Sequence, residues 1–356
     1  MVRRSPARSA RRGVVRTSAV LALALVLAAC GGTAEEPAAD TAPAEEPAPA
    51  DEAPAEPSIR VALVLPGPIN DRGFNQSAYE ALAVLESELG AETAFSENTP
   101  VPDFETAFRD YASQGFDVVI GQGFQFGEIA QAVAPEFPDV MFLATNNPAV
   151  EGDNAQGLMP QSWHSAYITG VAAAIASESG RIGGIAGMEF PAIVAQMNAF
   201  REGALAARPD VDVAIVYLGD QKDVERGKEG ALAMIQDGRD VLYHIADNAG
   251  LGVIQAASDE GIFVIGWGKD QADVAPDAVM ASQIVDQTAM IVDAVTRIAA
   301  GERSGETTFY GLDTPVTGLT AIASIVPNAA DVQAAVDDVS ARIVSGELEV
   351  AYNPGS

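Results

Sequence analysis

From Ser58 onward the chain predicts an α/β protein of two doubly wound, parallel-sheet lobes. Short apolar runs rich in β-branched residues alternate with longer segments whose apolar residues recur at helical spacing. That alternation comes in two successive sets, and strands separated by helices imply parallel sheets covered on both faces. About 300 residues remain after Ser58, enough for two domains of ordinary size.

The first set opens with Ile59-Arg-Val-Ala-Leu-Val-Leu65, a buried strand stopped by Pro66-Gly67-Pro68. A helix over 75–89 follows, with Ala78, Leu82, Leu85 and Leu89 on one face and Gly90 as its terminator. A weaker strand is expected near 91–95. Phe116–Ile120 is a strand leading into Gly121-Gln122-Gly123 and a helix near 126–136, and Val140–Ala144 is a strand ending before Asn146. Helix 163–177 comes next. The second set then reads strand 181–186, helix 192–207, strand 211–217, helix 223–236, strand 241–245, helix 249–259 and strand 262–265. In such sheets ligands sit beyond the carboxyl ends of the strands.

The chain before this region is of another kind. Residues 1–16 carry six arginines and no acid, and an apolar run from Ser18 to Leu27 leads to Ala28-Ala29-Cys30-Gly31. This is a secretory n-region, h-region and small-residue cleavage site. Leu27-Ala-Ala-Cys30 resembles a bacterial lipobox, which implies a signal peptide over 1–29 and acylation of Cys30. An ordinary signal peptide with a chance cysteine is the alternative. The run falls short of the ~20 residues of a membrane span. With Cys30 the single cysteine, disulfides are excluded. Residues 30–57, with eight acids, six prolines and no base after Cys30, predict a disordered acidic tether.

Without the six leader arginines, 14 bases face 50 acids, a net charge of about −36. Nucleic acid and anionic lipid surfaces are poor partners for such a chain. His164 and His244 lie far apart and outside any metal-type cluster, and no nucleophile elbow or phosphate-binding loop is present. No catalytic residue, cofactor or metal is expected.

Five motifs in order carry a family resemblance. They are Asn70-Asp71-Arg72-Gly73-Phe74-Asn75-Gln76-Ser77-Ala78-Tyr79-Glu80, Val119–Phe124, Gly187-Met188-Glu189-Phe190-Pro191, Asn198–Ala204 and Ile265-Gly266-Trp267-Gly268-Lys269-Asp270-Gln271. Together they resemble the basic membrane protein family, the purine-nucleoside-binding lipoproteins of ABC importers, over about residues 59–300. The resemblance implies a type I periplasmic-binding fold, with two lobes, three crossovers and a ligand in the cleft. Its expected division is 58–159 with 283–356 for the first lobe and 160–282 for the second. It also implies a monomer, an ABC permease as partner and a position outside the cytoplasm, held to a membrane by lipid on Cys30.

A nucleobase needs aromatic faces and directional edge contacts. Phe74 and Phe200 are the stacking candidates, Phe200 on the resemblance and with packing on the sheet as its other reading. Asp71 and Asn75 flank Phe74 and could cap a helix or meet the ligand. Gly123, Phe124, Asn146 and Met188 lie at or near strand ends. Asp247 and Asn248 open a helix whose free N–H groups could donate to a ligand. Asp270 and Trp267 complete the set, Trp267 as a stacking face or a packing residue. The family turn has the pattern Gly-x-Asp-x-Asp-Gln, and its first Asp, which grips ribose, is replaced here by Gly268. A free base or other flat heterocycle is therefore expected alongside nucleosides. A sugar or flavin-type ligand, or a ligand-sensing rather than importing role, are the alternatives.

Overall fold

The computed structural model describes residues 59–70 and 73–355. The leader, Cys30, the tether and Asp71 lie outside the described residues. The first sheet contains β1 (Arg60–Val64), β2 (Glu92–Ser96), β3 (Val118–Gly121), β4 (Met141–Thr145) and β5 (Ala155–Pro160). The second contains β6 (Arg181–Ala186), β7 (Asp212–Tyr217), β8 (Val241–Ile245), β9 (Phe263–Gly268) and β10 (Val279–Val285). Two short strands, β11 (Thr308–Tyr310) and β12 (Thr317–Leu319), complete one sheet each. The strand orders are β11-β5-β4-β3-β1-β2 and β12-β10-β9-β8-β6-β7. All pairings are parallel except β10–β12.

The helices are α1 (Phe74–Leu89), α2 (Phe104–Ser113), α3 (Gly127–Val133), α4 (Ser162–Ala176), α5 (Pro191–Ala207), α6 (Val224–Gln236), α7 (Ala249–Glu260), α8 (Gln287–Ala299) and α9 (Ala329–Val344). Helices cover both faces of each sheet, so the central strands are apolar at most positions, with Arg60, Thr145 and His244 the exceptions in β1, β4 and β8. In β1, Val61 and Leu63 join the core under α1 and α8, whereas Ala62 and Val64 join the opposite core under α2 and α3. This is the period-two alternation of strand side chains with both faces buried. In the second sheet Tyr243 and Ile265 face α4 and α5, while Leu242 and Val264 face α6 and α7.

Helix α4 is buried on nearly every side and lies tightly against α5. A Cβ at Gly170 would strike the carbonyl of Phe200, and one at Gly203 that of Tyr167. These two glycines let the helix backbones touch and thereby fix where α5 stands over the sheet.

The chain crosses between lobes three times, at Gln161, at Asp286 and over 311–316. The crossings are stitched together: Gln161 N–H donates to Tyr310 O at 2.8 Å and Asp286 N–H to Val316 O at 2.7 Å. The expectation that 283–356 belongs to the first lobe needs correction. Helix α8 packs on α1 and β11 joins the first sheet, but β12 joins the second sheet and α9 packs on α4. The physical reason lies in the side chains Val326, Val332, Val336, Ile343 and Val350, which are buried in the second lobe's core.

Candidate functional site

The carboxyl ends of β1, β3 and β4 form one rim and those of β6, β8 and β9 the other. On the first rim, Gln122 is fully buried and bonded in every direction the turn requires. Its Nε2 donates to Phe74 O at 3.0 Å, and its Oε1 accepts from Thr145 Oγ1 at 2.8 Å. Thr145 Oγ1 in turn accepts from Gly123 N at 2.8 Å. This small network ties the start of α1 to the ends of β3 and β4, and so sets the position of Phe74, which is half-buried.

Asn75 is buried and sits against Gly67, where a Cβ would come within 2.6 Å of its amide nitrogen. Asn146 is left-handed at φ 54°, a conformation that Asn tolerates better than other side chains. Its Nδ2 donates to Gln287 Oε1 at 3.1 Å, reaching the first turn of α8 just after a crossing. Phe124 is 71 % exposed, and its carbonyl accepts from Asn147 Nδ2 at 2.7 Å.

On the second rim the centre is Gln271. Its Oε1 accepts from Trp267 N at 3.0 Å and lies 2.9 Å from His244 Nε2. An oxygen can only accept, so Nε2 carries the proton and donates. Burial pushes the His244 pKa down to about 4, so the ring is neutral at neutral pH. Gly250 packs against this imidazole, leaving no room for a side chain there.

Trp267 is half-buried at the end of β9, and its indole N–H donates to Gln196 Oε1 at 3.3 Å. Gln196 lies on α5, is 5 % exposed, and also accepts from Gln283 Nε2 at 3.2 Å. Met188 is half-buried against the same core. Lys269 reaches across to the first lobe, where its Nζ meets Glu80 Oε2 at 2.6 Å. This hydrogen bond holds the Glu80 carboxyl below its ordinary pKa.

Three sequence expectations change in this setting. Phe200 is fully buried, its ring packed on Tyr243 with centroids 4.9 Å apart, so it belongs to the core and not to the rim. It stands one helical turn beyond Gln196, about 6 Å deeper along α5. The opening of α7 is closed to a ligand at three donors: Ala249 N bonds Gln221 O, Gly250 N bonds Ala246 O and Asp247 O, and Leu251 N bonds Asn248 O. Asp270 is exposed and turned onto its own loop, its Oδ1 accepting from Ala272 N at 3.0 Å. Asp247, at φ 41°, and Asn248 remain half-buried at the end of β8.

Gln122, Thr145, Gln196, Gln283 and Glu80 were not among the sequence candidates. Among the described residues no group of three metal-ligating side chains occurs, and no helix is long and apolar enough to cross a membrane.

Two α/β lobes, three stitched crossings and opposed strand-end rims define the class: a type I solute-binding protein. The chain belongs to the PnrA-like family of ABC transporter substrate-binding proteins, whose sequence profile matches residues 58–354. Proteins of this kind act outside the cytoplasm with a transporter and are not enzymes.

The chain is 27 % identical over 303 residues to a purine-binding protein of Brucella abortus, covering 84 % of this chain and 85 % of that one. It is 31 % identical over 215 residues to an ABC transporter nucleoside-binding protein, BmpA, of Lactococcus lactis, covering 57 % and 61 %. A solved ABC transporter solute-binding protein from Conexibacter woesei superposes with a TM-score of 0.67 at 27 % identity, covering 83 % of this chain and 99 % of that one.

Proposed function

We propose that this protein is a lipid-anchored receptor that captures a purine nucleoside, a purine base or a similar flat heterocycle between its lobes and delivers it to an ABC permease. The observation that carries the reading is the opposition of the two rims. Lys269 and Glu80 join them, with Phe74 on the first side and Trp267 on the second. A planar base fits between flat aromatic faces, each worth ~1–3 kcal/mol by stacking. Asn75 and Asn146 supply amides that both donate and accept, suited to a base edge. Gly123 lies buried at the same rim, its N–H donating to Thr145 Oγ1 and its carbonyl accepting from Phe126 N–H, and Phe124, Met188, Asp247 and Asn248 stand at the strand ends that border the cleft. Asp71, outside the described residues, is a candidate contact by its place in the sequence near Phe74. The purine-binding and nucleoside-binding relatives support this ligand class.

Thermal-shift screening of nucleosides, bases, flavins and sugars tests it. A purine at about 100 times its dissociation constant adds ~2.7 kcal/mol of stability. Stabilisation by sugars or flavins with none by purines would replace this reading. Anchoring is tested separately: Cys30→Ser removes the acyl attachment atom and moves the protein from the membrane fraction to the soluble one. Membrane retention of that variant would rule out the lipid anchor.

A further inference from the structure

We propose that Trp267 is the second lobe's stacking face and that Gln196 is the residue that positions it; this rests on the purine reading above. The argument begins with Phe200, which cannot meet a ligand because it is fully buried on Tyr243. Residues four apart share a helix face, so Gln196 occupies the same stripe of α5 one turn nearer the strand ends. A glutamine on that apolar stripe, only 5 % exposed, is costly unless its amide is bonded.

Every bond it makes serves to fix one geometry. Nε2 donates to Ala192 O at 3.2 Å, within its own helix. Oε1 accepts from Gln283 Nε2 and from the Trp267 indole. Gln283 is fully buried and held from three sides: Nε2 donates to Ser162 O at 2.9 Å and to Ser165 Oγ at 2.8 Å, and Oε1 accepts from the Tyr243 hydroxyl. The chain of bonds therefore runs from the core, through Gln283 and Gln196, to the indole edge.

Trp267 is fixed at two points. Its backbone N–H is held by Gln271 and its ring N–H by Gln196. With the edge tied, the plane of the indole is set before a ligand arrives, and a pre-set aromatic face binds better than one that must be ordered. The ring packs on the lobe's core at one side and stays half-exposed at the end of β9.

The chain has two tryptophans, which makes the test direct. Trp163 is buried, and its N–H donates to Val350 O at 3.0 Å. In Trp163→Phe, Trp267 is the only indole, and saturable quenching of its emission by adenine, adenosine or guanosine is expected. By calorimetry Trp267→Ala weakens binding roughly tenfold to hundredfold, and Trp267→Phe recovers most of that loss.

Gln196→Met keeps the side chain's length and removes the acceptor. It weakens binding several-fold and lowers the emission anisotropy of ligand-free Trp267. In the Trp267→Phe background the same Gln196 change costs nothing further, because phenylalanine has no N–H to hold. Saturable purine binding with no quenching in Trp163→Phe, or with unchanged affinity in Trp267→Ala, overturns this assignment and leaves the purine reading standing. Equal effects of Gln196→Met with and without the indole overturn the positioning role. Sugar binding without purine binding overturns both readings.

Discussion

The two lobes repeat one another in strand order and differ in what their rims are tied to. By position in the sheet, β3 corresponds to β8 and β4 to β9. Each of these four strands is followed by, or ends on, a left-handed residue: Gly123 at φ 122° and Asp247 at 41°, Asn146 at 54° and Gly268 at 88°. A positive φ is therefore shared at these turns; Asn and Asp reach it at modest cost at 146 and 247, whereas Gly123, at ψ 159°, holds an extended conformation open essentially to glycine alone. The hydrogen bonds leave the two rims in different directions. In the first lobe they run sideways through Gln122 and Thr145, and on through Asn146 to Gln287 at a crossing. In the second they run inward, through Gln196 and Gln283, to the core. The first rim is coupled to the crossing at Asp286, and the second to its own core and, through Ser162, to the start of α4 beside the crossing at Gln161.

Phenylalanines on the two sides break this comparison most sharply. Phe200→Ala empties a fully buried site and costs about 3–5 kcal/mol of stability by denaturant titration. Phe74→Ala leaves stability near that of the parent and weakens purine binding by ~1–3 kcal/mol. A Phe200→Ala variant as stable as the parent would return that residue to the ligand.

Gly268 gives the next effect. It stands where the family resemblance places a ribose-binding Asp, and a Cβ there meets nothing within 4 Å. Gly268→Asp therefore fits spatially, with a backbone strain of about 1 kcal/mol from its left-handed φ. The new carboxylate is expected to shift preference from base to nucleoside by ~1.5–3 kcal/mol, the range for hydrogen bonds to a charged group. Calorimetry on adenine and adenosine measures it. An unchanged ratio means that this turn does not face the sugar.

Most of the fold was legible because its strands are continuous apolar runs and its helices keep a 3.6-residue spacing. The predicted 181–186 and 241–245 strands match in full. Helices α2, α8 and α9 and strands β5, β10, β11 and β12 were not anticipated, and three of these strands have physical reasons. Strand β5, AQGLMP, has no β-branched residue. Strand β10 carries Ser282 and Gln283, whose side chains are satisfied by partners outside the strand: Ser282 Oγ accepts from Gln271 N–H at 3.0 Å and Gln283 Nε2 donates to Ser162 O at 2.9 Å. Strand β12 has three residues, too few for alternation to show.

In the site, strand-end positions such as Asn146 and Trp267 followed from topology together with the family resemblance. The exchange of Phe200 for Gln196 did not, because both lie on one stripe of α5 and periodicity does not say which end meets the cleft. The available signal was Gln196 itself, an amide set among Ile193, Met197 and Phe200, which requires a buried partner.

The smallest effect expected is at the contact between the rims. Lys269 is 60 % exposed and Glu80 40 % exposed, so their ion pair is screened by solvent and worth about 0.2–1 kcal/mol. Lys269→Ala should therefore barely change thermal stability. It should shift the lobes toward a more open mean, read as a larger radius of gyration by small-angle scattering without ligand. The pH dependence has a definite sign. The Lys269 hydrogen bond, ahead of the opposing effect of burial, lowers the Glu80 pKa below 4.5. A carboxyl with a depressed folded pKa contributes above its unfolded value and loses that contribution as pH falls through the folded one. Closure through this pair is thus constant at neutral pH and fades below about 4.5, in the parent and not in Glu80→Gln. Scattering profiles of the two proteins at pH 7 and pH 4, in low and high salt, separate the pair from general acid effects. An equal expansion of both on acidification would show that the rims are held by something other than Lys269 and Glu80.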